Sequence, residues 1–167
     1  MSQNSRILIA VLVVAVLVAV VLGVEALRRS QSSTAVTEEG VELAPGSIPI
    51  YLNGRLVGGF VPQDLEKLDQ VSFVDAEEGK TQEGWMLRDV LVLNLDDDLK
   101  PDSLITVSSS SRNKSAQLTW AEVDDPANMV MFDLSARGTL KLVSLLERLD
   151  IRDEWVQDVN KIEVTAP

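Results

Sequence analysis

Residues Ile7 to Val24 are 18 consecutive residues without a charged or strongly polar side chain. At about 1.5 Å of rise per residue, a helix over this run and its near-extension through Ala26 and Leu27 spans about 27–30 Å, the thickness of a hydrocarbon core. The run exceeds the apolar region of a cleaved signal peptide, about 7–15 residues, so the sequence predicts an uncleaved anchor over residues 7–27 behind a short tail, 1–6. Arg6 lies on one side, Arg28 and Arg29 on the other. The stretch beyond them lacks Lys and Arg, which places the following domain outside the cytoplasm. Ala15, Ala19 and Gly23, with Ala26 close to the same face, recur at helical spacing. Small residues there let a second helix approach closely, so this face is the expected contact with another membrane subunit or with a copy of the chain.

Beyond residue 30 the chain turns strongly acidic, with 12 bases against 25 acids, a formal charge of −13. Nucleic acid and anionic lipid surfaces are disfavoured as partners, because both need clustered Lys and Arg. The chain has no Cys and no His. Thiolate or imidazole metal sites, disulfides, Cys nucleophiles and a Ser-His-Asp triad are therefore excluded.

Residues 28–46 are rich in Ser, Thr, Glu and Gly and read as a linker. The soluble domain, 47–167, opens on the clearest local signal in the chain. Ile48 to Leu52 and Arg55 to Val57 flank Asn53-Gly54. That dipeptide between apolar runs predicts a hairpin with a type I′ turn. Pro49 suits an edge strand or a strand start, and Gly58-Gly59 a bend or bulge. A short helix is predicted over Pro62 to Leu68, then a strand over Val71 to Val74 and a charged loop from Asp75 to Glu83. Apolar residues at 86, 87, 90, 91 and 93 predict one buried helix face.

Asp96-Asp97-Asp98 lacks the alternating ligands of a calcium loop and reads as a solvated turn. Strands are expected over Leu104 to Val107, Ala116 to Leu118 and Met129 to Leu134, with Thr119 capping a turn over Trp120 to Val123. Between the first two lies a polar loop in which Arg112 and Lys114, beside several hydroxyls, form a small positive spot, the candidate anion site. The three Trp residues, 85, 120 and 155, read as core or shoulder residues. Leu140 to Val143 and Val159 to Val164 close the domain. The fold class is thus α+β, a mixed β-sheet domain with short helices behind one membrane helix.

Four pieces stand in order: the opening hairpin with its short helix, Gly84-Trp85-Met86-Leu87-Arg88-Asp89-Val90-Leu91, the strand-loop-strand ending in Leu118-Thr119-Trp120, and Gly138-x-Leu140-Lys141-Leu142-Val143 with a terminal Ile162-Glu163-Val164. This arrangement, over roughly residues 47–165, resembles the molybdopterin-binding domain of the sulfite oxidase family. The resemblance implies a mixed α+β fold. It also implies a departure from the family's activity: family enzymes bind molybdenum through a Cys thiolate and hold the pterin phosphate with basic and His side chains. With neither Cys nor His, no functional residue carries over, and carboxylates or hydroxyls do not reproduce soft thiolate ligation. The expectation is a degenerate, cofactor-free member: a membrane-anchored accessory subunit of a larger complex, with no catalytic or metal residues. The rival readings are a divergent oxidoreductase, a hydrolase using carboxylates such as Asp89, Glu122 and Asp133, and an extracytoplasmic ligand sensor or carrier.

Overall fold

The structure is a computed structural model, and it describes residues 41–95 and 99–167. The span 7–27 with its face at Ala15, Ala19, Gly23 and Ala26, the tail before it, the linker up to residue 40 and the run 96–98 lie outside the described residues. Among those described, no helix is long and apolar enough to cross a membrane.

The Asn-Gly signal holds. Strands β1 (Ile48–Leu52) and β2 (Arg55–Phe60) pair antiparallel around Asn53 and Gly54. Both turn residues have positive φ, +51° and +80°, as a type I′ turn requires. Ile50 pairs with Gly58 and Tyr51 with Leu56, so Val57 is an extra residue in β2, a bulge beside the glycine pair. A 3₁₀ segment (Pro62–Lys67) follows, started by Pro62 and closed by the Asp64 carboxylate on the Val61 amide. Then come β3 (Gln70–Val74), β4 (Thr81–Met86), helix α1 (Leu87–Asn94), β5 (Leu104–Ser109) and β6 (Lys114–Thr119). Helix α2 (Trp120–Asp124) starts on a capping box: Thr119 Oγ1 accepts from the Glu122 amide, and the Glu122 carboxylate accepts from the Thr119 amide. A 3₁₀ turn (Pro126–Asn128), β7 (Met131–Leu134), β8 (Leu140–Val143), β9 (Val156–Gln157) and β10 (Lys161–Thr165) complete the domain.

The strands form two five-stranded sheets. The first runs β2-β1-β10-β5-β6 and is mixed, because β1 and β10 pair parallel; the second runs β3-β4-β7-β8-β9 and is antiparallel throughout. The α+β class holds, with two sheets where the sequence predicts one. Ile50, Ile105, Val107, Ile162 and Val164 of the first sheet share the main core with Trp85, Phe132, Leu140 and Leu142 of the second and with Leu87, Val90 and Leu91 of α1. Phe60 meets Phe132 with ring centroids 6.1 Å apart. The opposite face of the second sheet carries a smaller cluster of Phe73, Met86, Met131, Val143 and Trp155.

Two local expectations need correction. Met86, expected on the helix face, belongs with Gly84 and Trp85 to β4. The β7 backbone packs so close that a Cβ on Gly84 would lie 1.8 Å from the Phe132 carbonyl oxygen, so a long-range approach fixes this stretch as strand. Leu93, expected on the buried helix face, is 56% exposed. Pro49 fits the strand-start alternative: it is the second residue of β1, an interior strand whose pairing with β10 begins only at Ile50.

Candidate functional site

Period-two alternation decides what the outer face of the second sheet displays. Trp85, Phe132 and Leu142 point to the main core, so Gln82, Gly84, Asp133, Lys141 and Gln157 point outward. Asp133 pairs in register with Gly84 on one side and Lys141 on the other, and Lys141 with Gln157. A charged acid and base thus stand next to each other in otherwise apolar strands.

These side chains are tied together by a continuous run of polar contacts. Lys141 Nζ lies 3.0 Å from Asp133 Oδ2, donates to Gln82 Oε1 at 2.7 Å and sits 4.9 Å from the centroid of the Trp155 ring. Gln82 Nε2 donates to Asp75 Oδ2 at 2.8 Å. Asp75 closes the β3–β4 turn by accepting from the Glu78 and Lys80 amides as well. The Glu78 amide, foremost, and then Gln82 and the Lys80 and Gly79 amides hold the Asp75 carboxyl below the usual carboxylate range. Asp133 is the opposite case. It is only 8% exposed, and burial pushes its carboxyl up although Lys141 and the Glu83 amide pull it down.

Around this pair opens a groove of about 600 Å³. Its walls are the β3–β4 turn with Glu78 and Lys80, the β7–β8 turn with Arg137, and the segment before β9 with Arg152 and Trp155. Glu78 is shared by Lys80 at 2.6 Å and Arg152 at 3.5 Å. Arg137 reaches Asp158 at 3.2 Å. Four bases and two acids line the groove. The chain beyond residue 30 has about two acids for every base, so the local charge ratio is inverted. Such a lining favours carboxylates or other anions over cations.

Of the residues flagged from sequence, all but Asp133 fall elsewhere. Arg112 Nε bonds Asp158 Oδ2 at 2.6 Å, and Lys114 Nζ bonds the Asp153 carbonyl. Lys114 also lines a second hollow, about 510 Å³, on the outer face of the first sheet. Of the three carboxylates considered for catalysis, only Asp133 lies in the groove. Asp89 pairs with Arg88 at 3.2 Å. Glu122 caps α2 and meets Arg148 at 2.7 Å, and the Arg148 bond, then the Thr119 amide and hydroxyl, lower its pKa. Among the described residues, no group of three Asp or Glu is arranged to hold a metal ion. Lys80, Gln82, Arg137, Lys141 and Arg152 were not foreseen. The signal within reach was a charged residue inside each of two apolar strands, Met131-Phe132-Asp133-Leu134 and Leu140-Lys141-Leu142-Val143.

No protein-family model matches the chain, and no curated protein sequence matches it significantly.

Proposed function

We propose that this chain is a membrane-anchored, non-catalytic accessory subunit whose extracytoplasmic domain is an interaction module, and that the groove on the second sheet is its docking surface for an acidic segment of a partner subunit. One observation carries the reading: four of the 12 bases beyond residue 30 converge on one groove with only two of the 25 acids. The apolar run 7–27 and its small-residue face supply the membrane arm of the proposal. The resemblance to the molybdopterin-binding domain enters as the reading of the fold. The missing Cys and His make the domain a cofactor-free member in that reading.

The test is purification of the full chain from native membranes in mild detergent, with mass spectrometry of what accompanies it. Stable co-purifying subunits are expected, and the Arg137→Glu/Arg152→Glu protein should lose them. A lone monomer, or partners retained by that variant, refutes the docking surface. Stoichiometric molybdenum in the purified protein refutes the cofactor-free reading.

A further inference from the structure

Among the described residues, the two sheets end in four edge strands, β2 and β6 in the first, β3 and β9 in the second. An edge strand shows unpaired N–H and C=O groups that another chain can bond, and proteins blunt such edges with bulges, charges, short strands or crossing side chains. Three of these four are blunted. β2 opens on Arg55 and carries the bulge at Val57. β6 opens on Lys114, and Arg148 donates to its Gln117 carbonyl at 3.4 Å. β9 is two residues long.

β3 has none of these devices. Its five residues, Gln70-Val71-Ser72-Phe73-Val74, include no charge, proline or glycine, and all five pair with β4 without a bulge. Just beyond it the Asp75 amide donates to the Lys80 carbonyl. By alternation the bonds to β4 recur at Phe73 and Val71, so the N–H and C=O groups of Gln70, Ser72 and Val74 point away from it. Among the described residues no strand, loop or side chain bonds these groups. All three residues are exposed, Val74 at 60%. Between them, Val71 and Phe73 pack against the cluster of Met86, Met131, Val143 and Trp155.

The ends of the strand are acidic. Residues 61–69 and 75–80 hold six acids and two bases. Both bases are engaged, Lys67 by Asp64 at 2.9 Å and Lys80 by Glu78 at 2.6 Å. Arg152 adds a third base, also on Glu78. Glu66, Asp69 and Glu77 are left without an ion pair among the described residues.

We propose that β3 is an addition site for an extended segment of a partner protein, one with alternating apolar side chains and with Lys or Arg at its flanks. Main-chain bonds to Gln70, Ser72 and Val74 supply the affinity, and side chains laid beside Val71 and Phe73 extend the apolar cluster. The basic flanks meet the acids at both ends of β3. A second copy fits less well, because its own β3 brings the same acidic ends.

The experiment follows the fluorescence anisotropy of a synthetic peptide of about nine residues, alternating Val and Thr between paired lysines, as the full chain is added in mild detergent. Saturable binding is expected. The same peptide N-methylated throughout its centre, or flanked by Glu, should bind about tenfold more weakly or worse. Ser72→Pro removes a donor that points away from β4, and Val74→Lys places a charge on an exposed edge position, so both should keep the fold and weaken binding about tenfold or more. Arg137→Glu, on the β7–β8 turn two strands away, should change it by less than about twofold. Binding that survives both β3 substitutions, or that the N-methylated or Glu-flanked peptide matches, overturns the proposal. So does a dimer of the full chain that Val74→Lys splits, which assigns the edge to a second copy. The β3 variants test this edge and the arginine variants test the groove, so failure of either proposal is distinguishable from failure of the other.

Discussion

Arg112 and Asp158, 46 positions apart in the chain, meet at 2.6 Å. Through this contact the β5–β6 turn of the first sheet is fastened to the segment between β9 and β10. Asp158 also accepts from Thr139 Oγ1 at 2.8 Å and from Arg137 at 3.2 Å, so one carboxylate ties together both hairpin turns. The residue itself sits at φ +56°. The Thr139 hydroxyl, then Arg112 and Arg137, hold its carboxyl below the usual range.

Asp158→Asn should therefore cost about 1–2 kcal/mol at neutral pH, given partial exposure and three lost charge-assisted contacts. The folded pKa lies below the unfolded value of about 3.9. The stabilisation is thus present above that pH and lost as the pH falls through the folded value. Denaturant unfolding at several pH values should show the gap between wild type and variant closing in acid. A gap constant with pH assigns Asp158 a purely steric role.

Lys141→Met leaves Asp133 buried without its base and should cost about 2–3 kcal/mol at pH 7. Asp133 already has a raised folded pKa. Its ionisation weakens the fold as pH rises through the unfolded value and then the folded one. The deficit of Lys141→Met should accordingly shrink towards acid, where Asp133 takes up a proton. The double variant Asp133→Leu/Lys141→Met should recover most of the loss, because an apolar pair strands no charge. Strict additivity in this cycle would show that the two side chains are not coupled.

Gly84→Ala should be among the most damaging single substitutions in the domain. The added carbon would lie 1.8 Å from the Phe132 carbonyl oxygen, and its nearest neighbours are all β7 backbone, so no flexible side chain can move aside. A loss of about 3 kcal/mol or more is expected, with β4 parted from β7. A wild-type melting curve for this variant would show that the two strands separate freely.

Thr119→Ala removes the hydroxyl half of the capping box and should cost about 1 kcal/mol. Thr119→Ser should restore most of it. If serine fails, the threonine methyl group, not the cap, is what matters at this position.

The parts legible in the sequence were those with local causes. Asn53-Gly54 needs only its own backbone preference to make a turn, and Thr119 needs only the amide three residues on. Met86 fits a helical spacing but lies in a strand, because its pairing comes from Met131 of β7, 45 residues away. The same reason hid the groove. Lys80, Asp133, Lys141 and Arg152 lie on separate segments with no fixed spacing, and only the pairing of strands brings them together. Arg112 and Lys114 stand out from the sequence as a positive spot, but their partners, Asp158 and the Asp153 carbonyl, lie 46 and 39 residues further on and spacing along the chain does not reveal them.

The parallel pairing of β1 with β10 sets a timetable for synthesis. β10 is the middle strand of its sheet, and Ile50, already paired with Gly58 of β2, finds its second partner only in Ile162. While the ribosome is still making the centre of the domain, the opening hairpin has one flank bare and β5 has no neighbour on that side. At about 5–20 residues per second, the β1–β2 hairpin waits several seconds with an open edge. Closure of the sheet therefore waits for Lys161 to Thr165, and a ribosome that stalls before Lys161 leaves two half-sheets, each with an open edge that another chain can pair with.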